Sequence, residues 1–177
     1  MVSTVADYSQ ALKLHRAWLS GAAGHAADFS RQTMADLDWR GALLRKARFT
    51  AVGMTEANLS DSDLTESDWT RADVKRSIFT QADWSGADLT ECHFSDCFFT
   101  DATLSEAKLW RAIFHGAALE QARLIEVHLD ESVLAGAKLS GATLLQARGS
   151  VVDFSGADMQ KCVLSSARLK FAKFRQC

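Results

Sequence analysis

Large apolar side chains fall at every fifth position from Phe29 to Phe174, and the residue two places before each is usually small. Read in fives from residue 26, the chain runs AADFS, RQTMA, DLDWR, GALLR, KARFT, and continues through EANLS, DSDLT, ESDWT and GADMQ to SARLK and FAKFR. The large position holds Leu 14 times, Phe 8, Met 3, Trp 3 and Val once, so of 30 pentads only the one with Gly149 leaves it empty. The small position is Ala 18 times, Ser 4 and Cys 3. A period of five suits neither a helix, at 3.6 residues per turn, nor a flat strand, at two. It suits a chain that buries one large and one small side chain and then turns a corner. A short fixed period marks a solenoid, whose units bury a core only by stacking on their neighbours. Four pentads per coil predict that residues twenty apart stack, giving about 7.5 coils and a rod roughly 36 Å long.

Two segments depart from the pattern. Residues 4–20 carry Val5, Tyr8, Leu12, His15 and Leu19 at helical spacing, with Thr4 placed to cap the start and Gly21 just past the end. This predicts a helical cap and linker over 1–25, covering the first coil of a repeat region over 26–177. Around Gly149, Val151 and Val152 one large slot is empty and the next small slot is overfilled, which predicts a local bulge or kink.

The A(D/N)LXX pattern, clear in EANLS, GADLT and GADMQ, resembles the pentapeptide-repeat family. The resemblance runs over residues 26–175 and implies an all-β, right-handed quadrilateral parallel β-helix. It does not dictate a task, since one fold serves many. The stretch Leu12-x-x-His15-x-x-Trp18-Leu19, followed by a Gly/Ala linker, is similar to leaders of bacterial pentapeptide proteins encoded near type VI secretion genes. Within the family, the quinolone-resistance proteins that bind DNA gyrase as DNA mimics resemble this chain in their repeats. The chain differs from them in lacking a C-terminal helix and loop insertions between repeats.

Composition narrows the function classes. Proline is absent, as suits backbone amides that all feed ladders. No apolar run approaches the ~20 residues of a membrane span, and the N-terminus lacks a signal-peptide pattern, so a cytoplasmic location and no membrane partner are expected. Cys92, Cys97, Cys162 and Cys177 all fall on the small inward slot and read as buried thiols. No metal-ligand spacing, phosphate loop or nucleophile motif occurs, so neither a cofactor nor catalysis is expected. His93, His115 and His128 occupy outward slots in separate coils, and His93 stacks next to Asp73 as a surface pair. The Ser and Thr residues after the large slot (Thr50, Thr55, Ser60, Thr65, Thr70) read as corner residues bonding to backbone.

Charge is uneven along the rod. Residues 56–106 hold twelve acidic and three basic side chains, against seven basic and four acidic before them and ten basic and six acidic after. Stacking by twenty places Asp63 beneath Asp83 with Asp61 and Asp101 beside them, and Glu66, Asp68, Asp88 and Glu106 on the neighbouring face. This acidic waist reads either as solvated surface or as an electrostatic imitation of a nucleic-acid backbone that attracts a basic groove. Outward apolar residues also stack: Ile78 under Phe98, Ile113 under Val133 and Ile125 under Leu145, with Trp110 near Ile113. The function expected is therefore a non-catalytic module that binds a protein partner. Gyrase or a similar DNA-binding protein and a secretion component are the alternatives. Direct nucleic-acid binding is not expected, because the waist repels phosphates and the basic residues read as spread over several faces. The last repeat, with Phe171 and Phe174, is expected to expose apolar surface suited to end-to-end self-association.

Overall fold

A computed structural model of the chain describes residues 8–177. Every outward residue before a large slot pairs in parallel with the residue twenty further on, as in Asp28↔Arg48, Leu43↔Asp63, Lys108↔His128 and Thr143↔Val163. The result is a parallel β-solenoid of about seven turns with four flat faces per coil. Each face takes its name here from its first inward residue: Phe29, Met34, Trp39 or Leu44.

Pairing reaches strand length on two faces. On the Met34 face β1 (Thr33–Ala35), β2 (Gly53–Thr55), β3 (Asp73–Lys75) and β4 (His93–Ser95) form a parallel sheet in sequence order. On the Phe29 face β5 (Arg148–Ser150) pairs with β6 (Arg168–Lys170). Elsewhere single bridges do the same work.

The corners explain the period. The residue two places after each large slot has positive φ at all thirty positions from Arg31 to Gln176, and only six of these are glycine. Its amide donates to the next coil (Arg31 to Thr50, Lys46 to Thr65), while at most corners the following small residue donates back to the large one, as Ala47 does to Leu44. A left-handed third residue closed by that bond is a type II turn. Non-glycine residues resist this conformation by roughly 1–2 kcal/mol each, so the ladders and the filled bore hold the corners shut.

The bore is continuous and lined almost wholly by apolar side chains. Every large slot from Leu44 to Phe154 is buried. Phe29, Phe49 and Trp69 stack at centroid distances of 5.1 and 4.0 Å, and Phe79–Phe99 and Phe94–Phe114 repeat the motif at 5.1 and 5.2 Å. Three of the four serines in the small slot give their hydroxyls to the carbonyl three residues back, as Ser62 does to Leu59 at 2.7 Å, and Ser77 gives its own to Lys75. The four thiols are free. Burial pushes Cys92 and Cys97 far up, the latter to about 12. Cys162 is half-buried, whereas Cys177 is exposed, against the buried thiol expected at that slot.

Two expectations are corrected in detail. The helix α1 covers Ser9–Leu19, with Tyr8 rather than Thr4 at its cap; Thr4 and Val5 lie outside the described residues. Its C-terminus closes as a Schellman motif, with Gly21 at φ 78 and bonds Gly21→Trp18 and Ala22→Ala17. Gly149, in turn, makes no bulge. It pairs with Leu169 in register, and glycine is required there because a Cβ would meet Val152 Cγ2 at 2.7 Å and Leu129 Cβ at 3.0 Å. The oversized Val152 fills the space that the missing side chain leaves.

α1 seals the first coil. His15 is fully buried; its Nδ1 accepts the Ala27 amide at 3.0 Å. Tyr8 meets Phe29 and Trp39 edge-on at 5.7 and 5.5 Å. At the far end the inward slots open: Leu164 is 36% and Phe174 44% exposed. None of the described helices is long and apolar enough to cross a membrane.

Candidate docking face

The residue before each large slot points outward beside the corner, which decides what its carboxylate does. Asp63 Oδ1 accepts the Thr65 amide at 3.1 Å and the Thr65 hydroxyl at 2.6 Å. Asp68 does the same for Thr70, and Asp83 for Ser85. Asn58 serves Ser60 in the same way, so the device needs an oxygen and not a charge. The corner hydroxyls of Ser60, Thr65 and Thr70 therefore bond to a side chain two residues back rather than to backbone as expected. Thr50 reaches across to Asp68 Oδ2 at 2.9 Å.

Salt bridges then remove part of the waist from consideration. Arg45 and Lys46 engage Glu66 at 2.7 and 3.2 Å and hold its carboxyl below the usual range. Burial alone would raise the Asp68 carboxyl, but bonds from Thr70 and Thr50 outweigh it and keep it low. Asp88 caps Thr90 and meets Lys108 at 3.3 Å. Arg76 takes Glu56, and on the next corner Arg71, Glu91, Arg111 and Glu131 alternate up four coils. Such exposed pairs contribute little to stability, yet they cancel field locally.

Apart from Asp96, on the corner between the Met34 and Trp39 faces, the acids of the waist that neither a salt bridge nor a bond from a second turn engages lie on one side. Asp63 and Asp83 stack in the middle of the Leu44 face. Asp61 and Asp101 flank them on one corner and Glu106 on the other, and none of these five meets a cation among the described residues. Of the eight acidic residues singled out from sequence, the structure thus gathers five on one face and commits Glu66, Asp68 and Asp88 to partners. The signal that separates them is the position of Arg45, Lys46 and Lys108 in neighbouring coils, which the twenty-residue register supplies.

The apolar candidates scatter over three other places and one shared one. Ile125 and Leu145, twenty apart and half-buried, continue the Leu44 face beyond the acidic stretch. Ile78 and Phe98 stack on the Trp39 face, with Phe98 48% exposed and covering Ala118. Ile113 and Val133 stack half-buried on the Met34 face. Trp110 lies round the corner from them on the Phe29 face, its ring covered by the Arg111 guanidinium at 4.2 Å from the centroid. His93 does pair in register with Asp73, but Asp73 gives its carboxylate to Lys75 at 2.9 Å instead. No group of metal-ligating side chains occurs among the described residues.

A family model of pentapeptide repeats matches in eight copies over residues 25–61, 57–96, 85–121, 112–148 and 152–177. No curated protein matches the chain in sequence. The fold is similar to a trypsin-treated form of QnrB1, a plasmid-mediated fluoroquinolone resistance protein. Identity is 14%, the TM-score 0.54, and 84% of this chain and 87% of that one are covered. A further similar structure is HetL, a pentapeptide repeat protein involved in heterocyst differentiation regulation from Nostoc sp. strain PCC 7120, at 22% identity, 90% and 94% coverage and TM-score 0.30. Another is the pentapeptide repeat protein Rfr23 from Cyanothece 51142, at 16% identity, 91% and 96% coverage and TM-score 0.34. Register, corners and model match together make the chain a member of the pentapeptide-repeat family.

Proposed function

We propose that this protein is a non-catalytic interaction module whose Leu44 face receives a basic surface of a protein partner. One observation carries the reading: Asp61, Asp63, Asp83, Asp101 and Glu106 share a side of the rod without a neutralising cation, while Glu56, Glu66, Asp73, Asp88 and Glu91 of the waist are ion-paired. A rigid row of like charges concentrates the potential over one face and steers an oppositely charged groove towards it. The half-buried Ile125–Leu145 pair further along the same face supplies apolar contact beyond the charged stretch.

The test uses the capping chemistry. Asp61→Asn, Asp63→Asn, Asp83→Asn and Asp101→Asn together remove four charges and keep the turn bonds, as Asn58 shows. The variant is expected to melt like the parent and to lose the partner captured from the source cell. Unchanged capture removes the reading. A second reading, imitation of DNA towards gyrase, draws on the same stacked carboxylates. It predicts that the purified protein inhibits gyrase supercoiling and that the fourfold variant does not; no inhibition by the parent at micromolar concentration ends it. The open last coil also supports end-to-end self-association, checked by sedimentation of the parent against Leu164→Ser/Phe174→Ser, with a monomeric parent as the contrary result.

A further inference from the structure

The Phe29 face changes sign along the rod. Its central outward column reads Asp28, Arg48, Asp68, Asp88, Lys108, His128, Arg148 and Arg168, each bridged to the next. The last four follow one another at the strand spacing of roughly 4.8 Å, so Lys108, His128, Arg148 and Arg168 form a stripe, while Arg111, Arg123, Lys138, Lys161, Lys173 and Arg175 are spread over the other faces and corners as expected from sequence. Lys108 meets Asp88, but Arg148, Arg168 and the adjacent Lys170 have no ion pair among the described residues, and all are exposed. Within the stripe's reach, Asp130 turns its Oδ1 to the Ser150 amide at 2.9 Å.

The corner beside this stripe holds a second anomaly. Its upper positions are Val151 and Phe171, 49% and 82% exposed, in left-handed backbone at φ 60 and 54. The ladder imposes that conformation at every corner; what sets these two apart is that they present large apolar side chains to solvent. Cations in a flat row, edged by an aromatic and an aliphatic side chain that point outward, are the composition of an interfacial membrane contact.

We propose that the C-terminal half of the Phe29 face, through Arg148, Arg168, Lys170 and Phe171, docks on an anionic lipid surface. The rod carries twelve acidic and three basic residues over 56–106 but ten basic and six acidic over 107–177. An anionic bilayer therefore repels the middle and draws in this end, tilting the rod so that Phe171 meets the headgroup region. The surface needs no register. An extended acidic peptide does, because its same-side carboxylates repeat roughly every 6.7 Å and drift out of step with the column. A second copy is disfavoured too: the acidic half of the same column has already committed Asp68 to Thr50 and Thr70, and Asp88 to Thr90 and Lys108.

The test is co-sedimentation of the full chain with vesicles of phosphatidylcholine alone or with about one-third phosphatidylglycerol, at about 0.1 M and about 0.5 M salt. Binding is expected only to the anionic vesicles and should weaken at the higher salt. Arg148→Glu/Arg168→Glu should weaken it at least about tenfold, and Phe171→Ser severalfold. Arg123→Glu/Lys138→Glu changes net charge equally on two other faces and should leave most of the binding. Circular dichroism confirms that each variant folds. The proposal is overturned if anionic vesicles do not bind, if the control pair loses as much as the stripe pair, or if the protein binds heparin or a single-stranded oligonucleotide but not vesicles.

Discussion

Twenty-four of the thirty corner residues with positive φ are not glycine, and their cost is where single substitutions should show. Val151 is branched, half-exposed and left-handed. Val151→Gly should therefore stabilise by about 1 kcal/mol, the relief of backbone strain exceeding glycine's added freedom in the unfolded chain. A lower melting temperature for this variant would contradict the account. Gly141→Ala should destabilise by about 1 kcal/mol, because alanine resists the left-handed backbone at φ 72, while the Gln121 amide beside it can swing aside. The thiols divide by burial in the same way. Cys92 and Cys97 should resist a thiol reagent in the folded protein at pH 8 and Cys177 should react, as mass spectrometry of the labelled sites can tell. The inward slots, and with them most of this burial, were legible from the pentad alone. The left-handed corners were not: Glu, Arg and Gln at Glu56, Arg71 and Gln81 carry no propensity for positive φ, and ladder closure imposes it.

At the level of elements, the cap is held by Tyr8 and Leu12 against the first coil and by one buried imidazole, His15. Desolvation lowers the pKa of His15, against a smaller raising contribution from the Arg45 backbone. The unfolded chain therefore takes up a proton, near pH 6.5, before the folded cap does. His15 thus contributes its full stability above that pH and loses it as pH falls. Protection factors across 9–19, with the pH dependence of intrinsic exchange divided out, should fall between pH 7 and pH 5.5 while those of the central coils hold. Uniform loss of protection would show that the cap is not a separate unit. The Gly149–Val152 exchange is a second element-scale device. Gly149→Leu alone should destabilise by several kcal/mol through overpacking against Val152 and Leu129. Val152→Ala alone should cost about 2 kcal/mol by leaving a cavity, and the double variant should recover part of both losses. Additive losses would contradict the compensation. The sequence marked this site as irregular but suggested a bulge, because a linear pattern shows an empty slot and an overfilled one without showing that they face each other. The helix was legible in place and face, through Tyr8, His15 and Gly21.

Over the whole molecule the repeat fixes a rod, and the choice of outward residues gives each face a different surface. The sum of charges along the chain reveals the waist, but not which carboxylates are cancelled; that depends on Arg45 and Lys46 meeting Glu66 from the previous coil and Lys108 reaching back to Asp88. The same register, applied to residues 108, 128, 148 and 168, would have shown the basic stripe that a count by segment hides. Five unpaired carboxylates on the Leu44 face are the central functional claim. Carbodiimide cross-linking of the protein to its captured partner, mapped by mass spectrometry, tests it most directly. Cross-links are expected from Asp61, Asp63, Asp83, Asp101 and Glu106 to partner lysines. Cross-links concentrated on Asp96, Glu120 or Asp130, on the other faces, would contradict it.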